Sequence, residues 1–448
     1  MADTRPDTRL PLWPTLLAYG APALPVYALL LVNGFFPFYY TETLGIGFGV
    51  AGTLVLVTRL WDMVTDPAIG ILSDRTRRRP GRRKTWLLAG LPPVMAGTAG
   101  VFFAEPGMTP LVLGLLTMLL FLGWTMLALP LNAWSVELSG HYHERARISA
   151  VREGFALAGT VAALALLVQA AGQGPEAVGI AFERLGLGLL ILFPLTVALA
   201  WRFVPDSPAP RRTGERHWRQ DLSALARNAP LRRLSGAFVL NGIANGLPAT
   251  LFLYYVPAVL DMEAQTGLFI LLYFGMGILG VPVWIRVERR LGKHRTWMLA
   301  MSVAALAFLP AAFLGPGDEI IYGVVVTLTG LCLGADFFLP PAIAADVVDQ
   351  DRLYTGADRA GLFFAMLSML YKLSWAVAGA AGLYALGLAD FSRAAGAGNP
   401  SGALVTLAAL YALVPAVFKL SAVLVLRGFT LDEAAHRALR ARLEAGAG

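Results

Sequence analysis

The chain has 448 residues, 57% of them hydrophobic and only 15% charged, with a mean hydropathy of +0.63. Globular domains in water carry about a quarter charged residues, so this composition excludes an ordinary soluble domain and points to a polytopic membrane protein. The net charge of +7 does not indicate a nucleic-acid partner, because the basic residues fall between apolar stretches, where they set topology.

A spanning helix needs about 20 mostly apolar residues. Twelve stretches qualify, at 14–40, 48–72, 85–104, 110–136, 148–172, 180–204, 234–260, 265–287, 296–314, 320–346, 361–388 and 402–426. The intervening loops differ sharply in charge. Seven basic residues lie in 73–84, seven in 205–233 and five in 286–295, whereas 41–47, 105–109, 173–179, 261–264 and 315–319 have none. The positive-inside rule then predicts that both termini are cytoplasmic, and an even number of spans, which puts both on one side, agrees with that. The one long polar break, 205–233, separates a six-helix bundle at 1–204 from a second at 234–427, with a tail at 428–448. Within the break, Trp218–Arg227 reads as a short amphipathic helix lying on the membrane surface, and the tail reads as a short helix with a solvated charged face. The N-terminus has no signal-peptide pattern.

The halves repeat. PGRRKTWLLA at 80–89 and LGKHRTWMLA at 291–300 both connect the second span of their half to the third, at an offset of 211 residues.

Charge inside the spans marks the chemistry. The second span carries Arg59, Asp62 and Asp66, which spacings of three and four residues place on one helical face. Each such group costs roughly 2.5–3.5 kcal/mol at mid-bilayer, so it marks a pathway or a site. Asp62 and Asp66 stand about 6 Å apart along the axis, with the Thr65 hydroxyl able to share their face. Such oxygens suit a hard cation. Two close carboxylates also raise each other's affinity for a proton, and Arg59 could instead neutralise one of them in an ion-paired triad. Further along, Arg152 opens the fifth span, Asp336 sits mid-span in the tenth, Lys372 lies in the eleventh and Lys419 in the twelfth. Arg152 and Lys372 could bind hydroxyls or a substrate carboxylate. They could equally serve as ion-pair partners, Arg152 for Glu137 and Lys372 for Asp62, Asp66 or Asp336. Lys419 is read as snorkelling toward the cytoplasmic surface. Tyr27, Trp124, Trp134, Tyr254, Tyr255, Tyr273 and Trp375 lie at depths where sugar rings could stack, although such aromatics more often pack; Trp61, Trp86 and Trp297 read as packing residues of the repeated loops.

The run RLWDMVTDPAIGILSDRTRRRPGRRKTWLL resembles the glycoside–pentoside–hexuronide:cation symporter family of the major facilitator superfamily, as do LPLNAWSVELSGHYHER at 129–145, LPPAIAADVVD at 339–349 and TGADRAGLFFAMLSMLYK at 355–372. The resemblance implies an all-α fold of twelve transmembrane helices in two six-helix bundles that alternate access. It implies a cation site at Asp62, Asp66, Thr65 and Thr125. It also implies a substrate contact at Arg152 and matches Lys372 to the family's eleventh-span lysine; Lys372, Asp336, Trp124, Trp375 and Tyr27 are added as candidates for substrate contact. Asp74 and Arg75, with Arg59 and Glu137, would form gate ion pairs. The galactoside-reading carboxylates of melibiose-type members are missing: the first span has no acidic residue, and the corresponding fourth-span position is Ala128. Lysolipid symporters share the cation motif, so family likeness leaves the substrate class open.

The expected function is cation-coupled symport, with Na⁺ or H⁺, of a sugar, glycoside or uronate. The alternatives are a transporter of a lysolipid or other amphipath, and a non-transporting membrane sensor. With no nucleophile–base pair, phosphate-cradling loop or metal cluster, and a single Cys332, no enzyme and no cofactor beyond the coupling ion are expected. The expected partners are a small-molecule substrate and the bilayer, the expected state is a monomer, and the expected location is the bacterial inner membrane.

Overall fold

A computed structural model describes residues 13–76, 81–138, 142–171, 173–205, 228–355 and 360–429. Arg77–Arg79, the segment Trp218–Arg227 and the tail from 430 lie outside the described residues, as do the side chains of Asp74, Arg75, Arg82 and Glu137. The described residues form helices and connecting turns, without strands, and twelve helices are long and apolar enough to cross a membrane. They are α1 (Trp13–Thr43), α2 (Phe48–Arg75), α3 (Arg82–Phe102), α4 (Pro110–Glu137), α5 (Tyr142–Ala171) and α6 (Pro175–Phe203), then α7 (Ala229–Val259), α8 (Thr266–Leu291), α9 (Lys293–Phe308), α10 (Glu319–Thr355), α11 (Ala360–Leu388) and α12 (Ser401–Leu426).

Helix boundaries depart from the hydropathy reading where a helix outruns its apolar stretch. α10 continues to Thr355, nine residues past the predicted 346, and α5 starts at Tyr142 rather than 148. The added turns carry Asp349, Asp351 and Arg352 in one case and His143, Glu144 and Arg145 in the other. These residues are helix-competent but polar, so a membrane criterion ends before the helix does. α1 is broken at Ala21–Pro22, between helical pieces Trp13–Gly20 and Ala23–Val32. Pro22 and Pro25 predicted a kink there, because proline cannot donate to the helical ladder.

The chain divides into two compact units: Met1–Ile46 with Val57–Arg212, and Gly47–Leu56 with Thr213–Gly448. The first turns of α2 therefore group with the second unit, where Phe48 packs edge-on against Tyr254 and Phe391 and Thr53 is hydrogen-bonded to Tyr384.

Within each unit the helices pair in the same way. α1 packs on α5 and α6, and α3 on α4 and α6; in the second unit α7 packs on α11 and α12, and α9 on α10 and α12. Tyr39 on α1 stacks on Phe182 of α6, with centroids 4.2 Å apart, and its hydroxyl donates to the Ala104 carbonyl beyond α3. Tyr255 on α7 stacks on Tyr411 of α12 at 4.0 Å and donates to the Ala311 carbonyl beyond α9. Both α3 and α9 are preceded by a glycine at positive φ, Gly81 at 142° and Gly292 at 78°, a backbone region that side chains with a Cβ rarely adopt. The repeat visible at 80–89 and 291–300 thus extends to the packing of both units.

Helices approach closely where a side chain is lacking. A Cβ at Gly159 of α5 would lie 2.0 Å from the Leu24 carbonyl of α1, and one at Gly280 of α8 would lie 2.1 Å from the Leu331 carbonyl of α10. Small residues at such crossings allow the van der Waals contact that drives helix association in lipid. In the second unit the core gathers Leu234, Trp297, Ala335, Leu339, Phe363, Leu367 and Leu426.

Candidate functional site

The first unit builds its polar centre on α2. Asp62 is 2% exposed and accepts from the Arg59 guanidinium at 3.0 Å. Arg59 also lies over the Phe121 ring of α4, 5.4 Å from its centroid, so the cation is held by a carboxylate on its own helix and an aromatic face on the next. One turn beyond Asp62, Asp66 accepts a 2.8 Å hydrogen bond from the hydroxyl of Thr125, which is fully buried on α4. Thr65 is buried beside them and donates to the Trp61 carbonyl at 3.1 Å. Having spent its proton there, its oxygen can act toward a ligand only as an acceptor. Trp61 in turn donates to the Met118 carbonyl at 3.2 Å, fixing α2 against α4. Pro67 follows Asp66 inside the helix. It has no N–H to give the Met63 carbonyl, so one more oxygen on this stretch of α2 lacks its helical donor. Among Arg59, Asp62 and Asp66, one formal positive charge faces two formal negative ones, a net of −1. The Arg59–Asp62 arm of the triad forms, with Asp66 engaging the α4 hydroxyl.

A second cluster in this unit surrounds Arg152. Its guanidinium donates to Asn132 Oδ1 on α4 at 2.7 Å and pairs with the adjacent Glu153. Tyr27 of α1 is half-buried next to Asn132, Arg152 and Glu153. Three helices thus contribute hydrogen-bonding groups to one place. The pairing of Arg152 with Glu137 involves a side chain outside the described residues, as do the gate roles of Asp74 and Arg75. Trp124 donates to the Val26 carbonyl at 2.8 Å, which ties α4 to α1 through the indole N–H. Trp134 is fully buried edge-on to Tyr19, and Tyr254 and Tyr255 are fully buried, so these three are packing residues rather than sugar platforms.

In the second unit Asp336 is the hub. Trp297 Nε1 donates to it at 2.7 Å and Asn245 Nδ2 at 3.0 Å, while Lys419 Nζ lies 3.6 Å away. Lys419 also donates to Asn241 Oδ1 at 2.8 Å. Two expectations are corrected here. Among the described residues the ion pair at Asp336 is made by Lys419 rather than Lys372, and Lys419 turns inward to that carboxylate instead of snorkelling. The reason is coordination: a lysine amine between a carboxylate and an amide oxygen is satisfied without reaching water. Lys372 is half-buried on α11, and Trp375 on the same helix lies 5.6 Å from the Tyr371 ring. Trp297, read from sequence as a packing residue, is also a hydrogen-bond donor to the hub. Asn132, Asn241, Asn245 and Glu153 were not singled out at all. The asparagines are uncharged and lack a periodic pattern, so only their meeting with a charged group on another helix reveals them. Among the described residues no group of three or more His, Cys, Asp or Glu side chains is placed to hold a metal.

Residues 18–433 match the family model described as MFS/sugar transport protein. The glucuronide carrier protein homolog of Escherichia coli is 24% identical over 85% of this chain and 84% of its own length. The sodium-dependent lysophosphatidylcholine symporter 1 of Mus musculus is 23% identical over 88% of this chain and 81% of its own. Among solved structures, the nucleoside transporter NupG aligns with a TM-score of 0.67 at 13% identity, over 93% of this chain and all of that one. That last likeness concerns the fold alone.

Proposed function

The chain belongs to the MFS/sugar transport protein family of multi-pass membrane transporters, and from that premise we propose that it is a cation-coupled symporter of a sugar, glycoside or uronate. The observation that supports this most is the α2–α4 centre: two aspartates one turn apart at membrane depth, with Thr125 on Asp66 and Arg59 on Asp62. A monovalent ion would find carboxylate, hydroxyl and carbonyl oxygens there, and the local charge of these three ionisable groups favours a positive visitor. The ion is Na⁺ or H⁺, and it would be the cargo of the cycle, not a resident cofactor.

In this reading Arg152, Asn132 and Tyr27 form the side that meets hydroxyls, and a substrate carboxylate would pair with the guanidinium. Lys372, Asp336, Trp124 and Trp375 are further candidates for substrate contact. Ion and substrate favour the same state of the carrier, so each tightens the other, by a coupling of about 1–3 kcal/mol. The molecule would act as a monomer in a bacterial inner membrane, and Asp74, Arg75 and Glu137 would serve its gate.

A second reading is kept because of two observations. The mouse relative is named a sodium-dependent lysophosphatidylcholine symporter, and the first span of this chain lacks the acidic residues with which melibiose-type members read galactosides. An amphipathic substrate would need the same cation site.

Thermal unfolding in detergent separates the two. Methyl glycosides, glucuronides and lysophosphatidylcholine would be tested with Na⁺ and with choline. A glycoside or glucuronide that raises the transition temperature more in Na⁺, or more at low pH, supports the first reading. Stabilisation by lysophosphatidylcholine alone would replace it with the second.

A further inference from the structure

The 211-residue offset that relates 80–89 to 291–300 continues through α4 and α10. It pairs Gly123 with Gly334, Thr125 with Asp336 and Pro130 with Pro341. Each glycine lies at a close helix crossing, Gly123 against α3 and Gly334 against α8. A Cβ at Gly123 would lie 2.3 Å from the backbone nitrogen of Val94, and one at Gly334 would lie 2.7 Å from the Gly277 carbonyl. Both therefore mark tight crossings, and two residues further on each helix presents its polar group. In the first unit that group is the Thr125 hydroxyl, which donates to a carboxylate on α2. In the second it is the carboxylate of Asp336 itself, which collects donors from α7, α9 and α12.

We propose that the Asp336 centre is the repeat counterpart of the α2–α4 site with its positive charge built in: the Lys419 ammonium, tethered to α12, occupies the place that an exchangeable ion takes in the first unit. The likeness between the two centres rests on the proposed role of Asp62 and Asp66; the tethered charge itself does not. Three features carry it. Lys419 lies seven residues before the end of α12, roughly 10 Å along the axis, and still points inward. Its side chain and that of Asp336 are only 12% and 13% exposed. The rest of the shell is neutral and complementary: Trp297 and Asn245 donate to the carboxylate, and Asn241 accepts from the amine. The pair sums to zero charge, so the second unit would keep one charge state through the cycle while the first exchanges its ion. Lys419 is a positioning residue in this account, joining α12 to α7 and α10.

The test is to take the positive charge away and ask whether Asp336 then recruits a proton. Among the described residues, the titratable groups around Asp336 are Cys332 on its own helix, Tyr273 on α8, Tyr371 on α11 and Lys419 on α12. At ordinary values of about 8.5 for cysteine and about 10 for tyrosine, the first three stay neutral from pH 5.5 to 7.5. Thermal unfolding of the purified full chain would be followed over that range for wild type, Lys419→Met and Asp336→Asn/Lys419→Met. Lys419→Met is expected to lose about 5 °C or more at pH 7.5, where it strands a carboxylate, and to recover much of that loss at pH 5.5 relative to wild type. The double variant is expected to regain the loss at pH 7.5 and to follow the wild-type pH profile. A pH-independent loss in Lys419→Met would overturn the proposal, as would a pH dependence that survives in the double variant. If Lys419→Met does not survive extraction, recovery of folded protein by adding Asp336→Asn supports the proposal. Aggregation of the double variant while Asp336→Asn alone stays folded refutes it. Loss or retention of ion-driven flux in Asp66 variants bears on the first unit only, so the two readings fail separately.

Discussion

At Asp66 a single hydroxyl decides how the carboxylate is presented. Thr125 donates to it at 2.8 Å from a position with no exposure. Thr125→Val keeps the shape and removes the donor, and a hydrogen bond to a charged group is worth about 1.5–3 kcal/mol. The expected outcome is a loss of roughly tenfold or more in apparent affinity for the coupling ion, measured as ion-dependent thermal stabilisation, with the protein still folded. Arg59 and Asp62 make a different case. Removing Arg59 alone takes a cation from a carboxylate that is 2% exposed, so Arg59→Gln is expected to destabilise by about 3 kcal/mol. Arg59→Gln/Asp62→Asn should be more stable than the single variant, and thermal unfolding in detergent checks the order. These residues were legible in the sequence because a charge inside an apolar run is costly and therefore conspicuous. Their partners were less so. Thr125 came from family resemblance, and Asn245, Asn241 and Asn132 left no signal, because a neutral amide in a membrane helix gains its meaning only from the helix that it faces.

Elements were legible to the extent that hydropathy controls them. All twelve spans were readable, since about 20 apolar residues in a row admit few alternatives to a membrane helix. Helix ends were not, because the polar turns that extend α5 and α10 obey helix propensity rather than the membrane. Neither was the grouping of the first turns of α2 with the second unit, which depends on Phe48 and Thr53 meeting Tyr254, Phe391 and Tyr384. Close packing supplies the prediction at this scale. Gly159 leaves room for the Leu24 carbonyl, which a Cβ would meet at 2.0 Å. Gly159→Leu is expected to force α1 and α5 apart at a cost of about 1–3 kcal/mol or more, read as a lower unfolding temperature. Gly154→Leu on the same helix, where a Cβ meets nothing within 4 Å, should leave the temperature nearly unchanged and controls for the substitution itself. A change in the opposite order would contradict the packing described here.

For the whole molecule, the internal repeat is what the sequence disclosed best and the structure extended furthest. A ten-residue likeness between two loops became matched helix pairings, matched tyrosine–aromatic stacks and matched glycines at positive φ. The repeat also shows where the halves part ways. Trp86 donates to Thr76 near the start of its helix, whereas its counterpart Trp297 is buried and serves Asp336. That asymmetry is the expected mark of a carrier that binds an ion in one half. Transport is a property of the family to which the chain belongs; coupling is the proposal, and it stands on Asp62 and Asp66. The most direct measurement is uptake into proteoliposomes of a glycoside or glucuronide identified by thermal stabilisation, driven by an inward Na⁺ gradient or, separately, by an inward proton gradient. Wild type should accumulate the substrate above equilibrium with one of the two gradients, and Asp66→Asn, equally inserted, should not. Accumulation by Asp66→Asn equal to that of wild type would contradict the assignment of the ion to this pair.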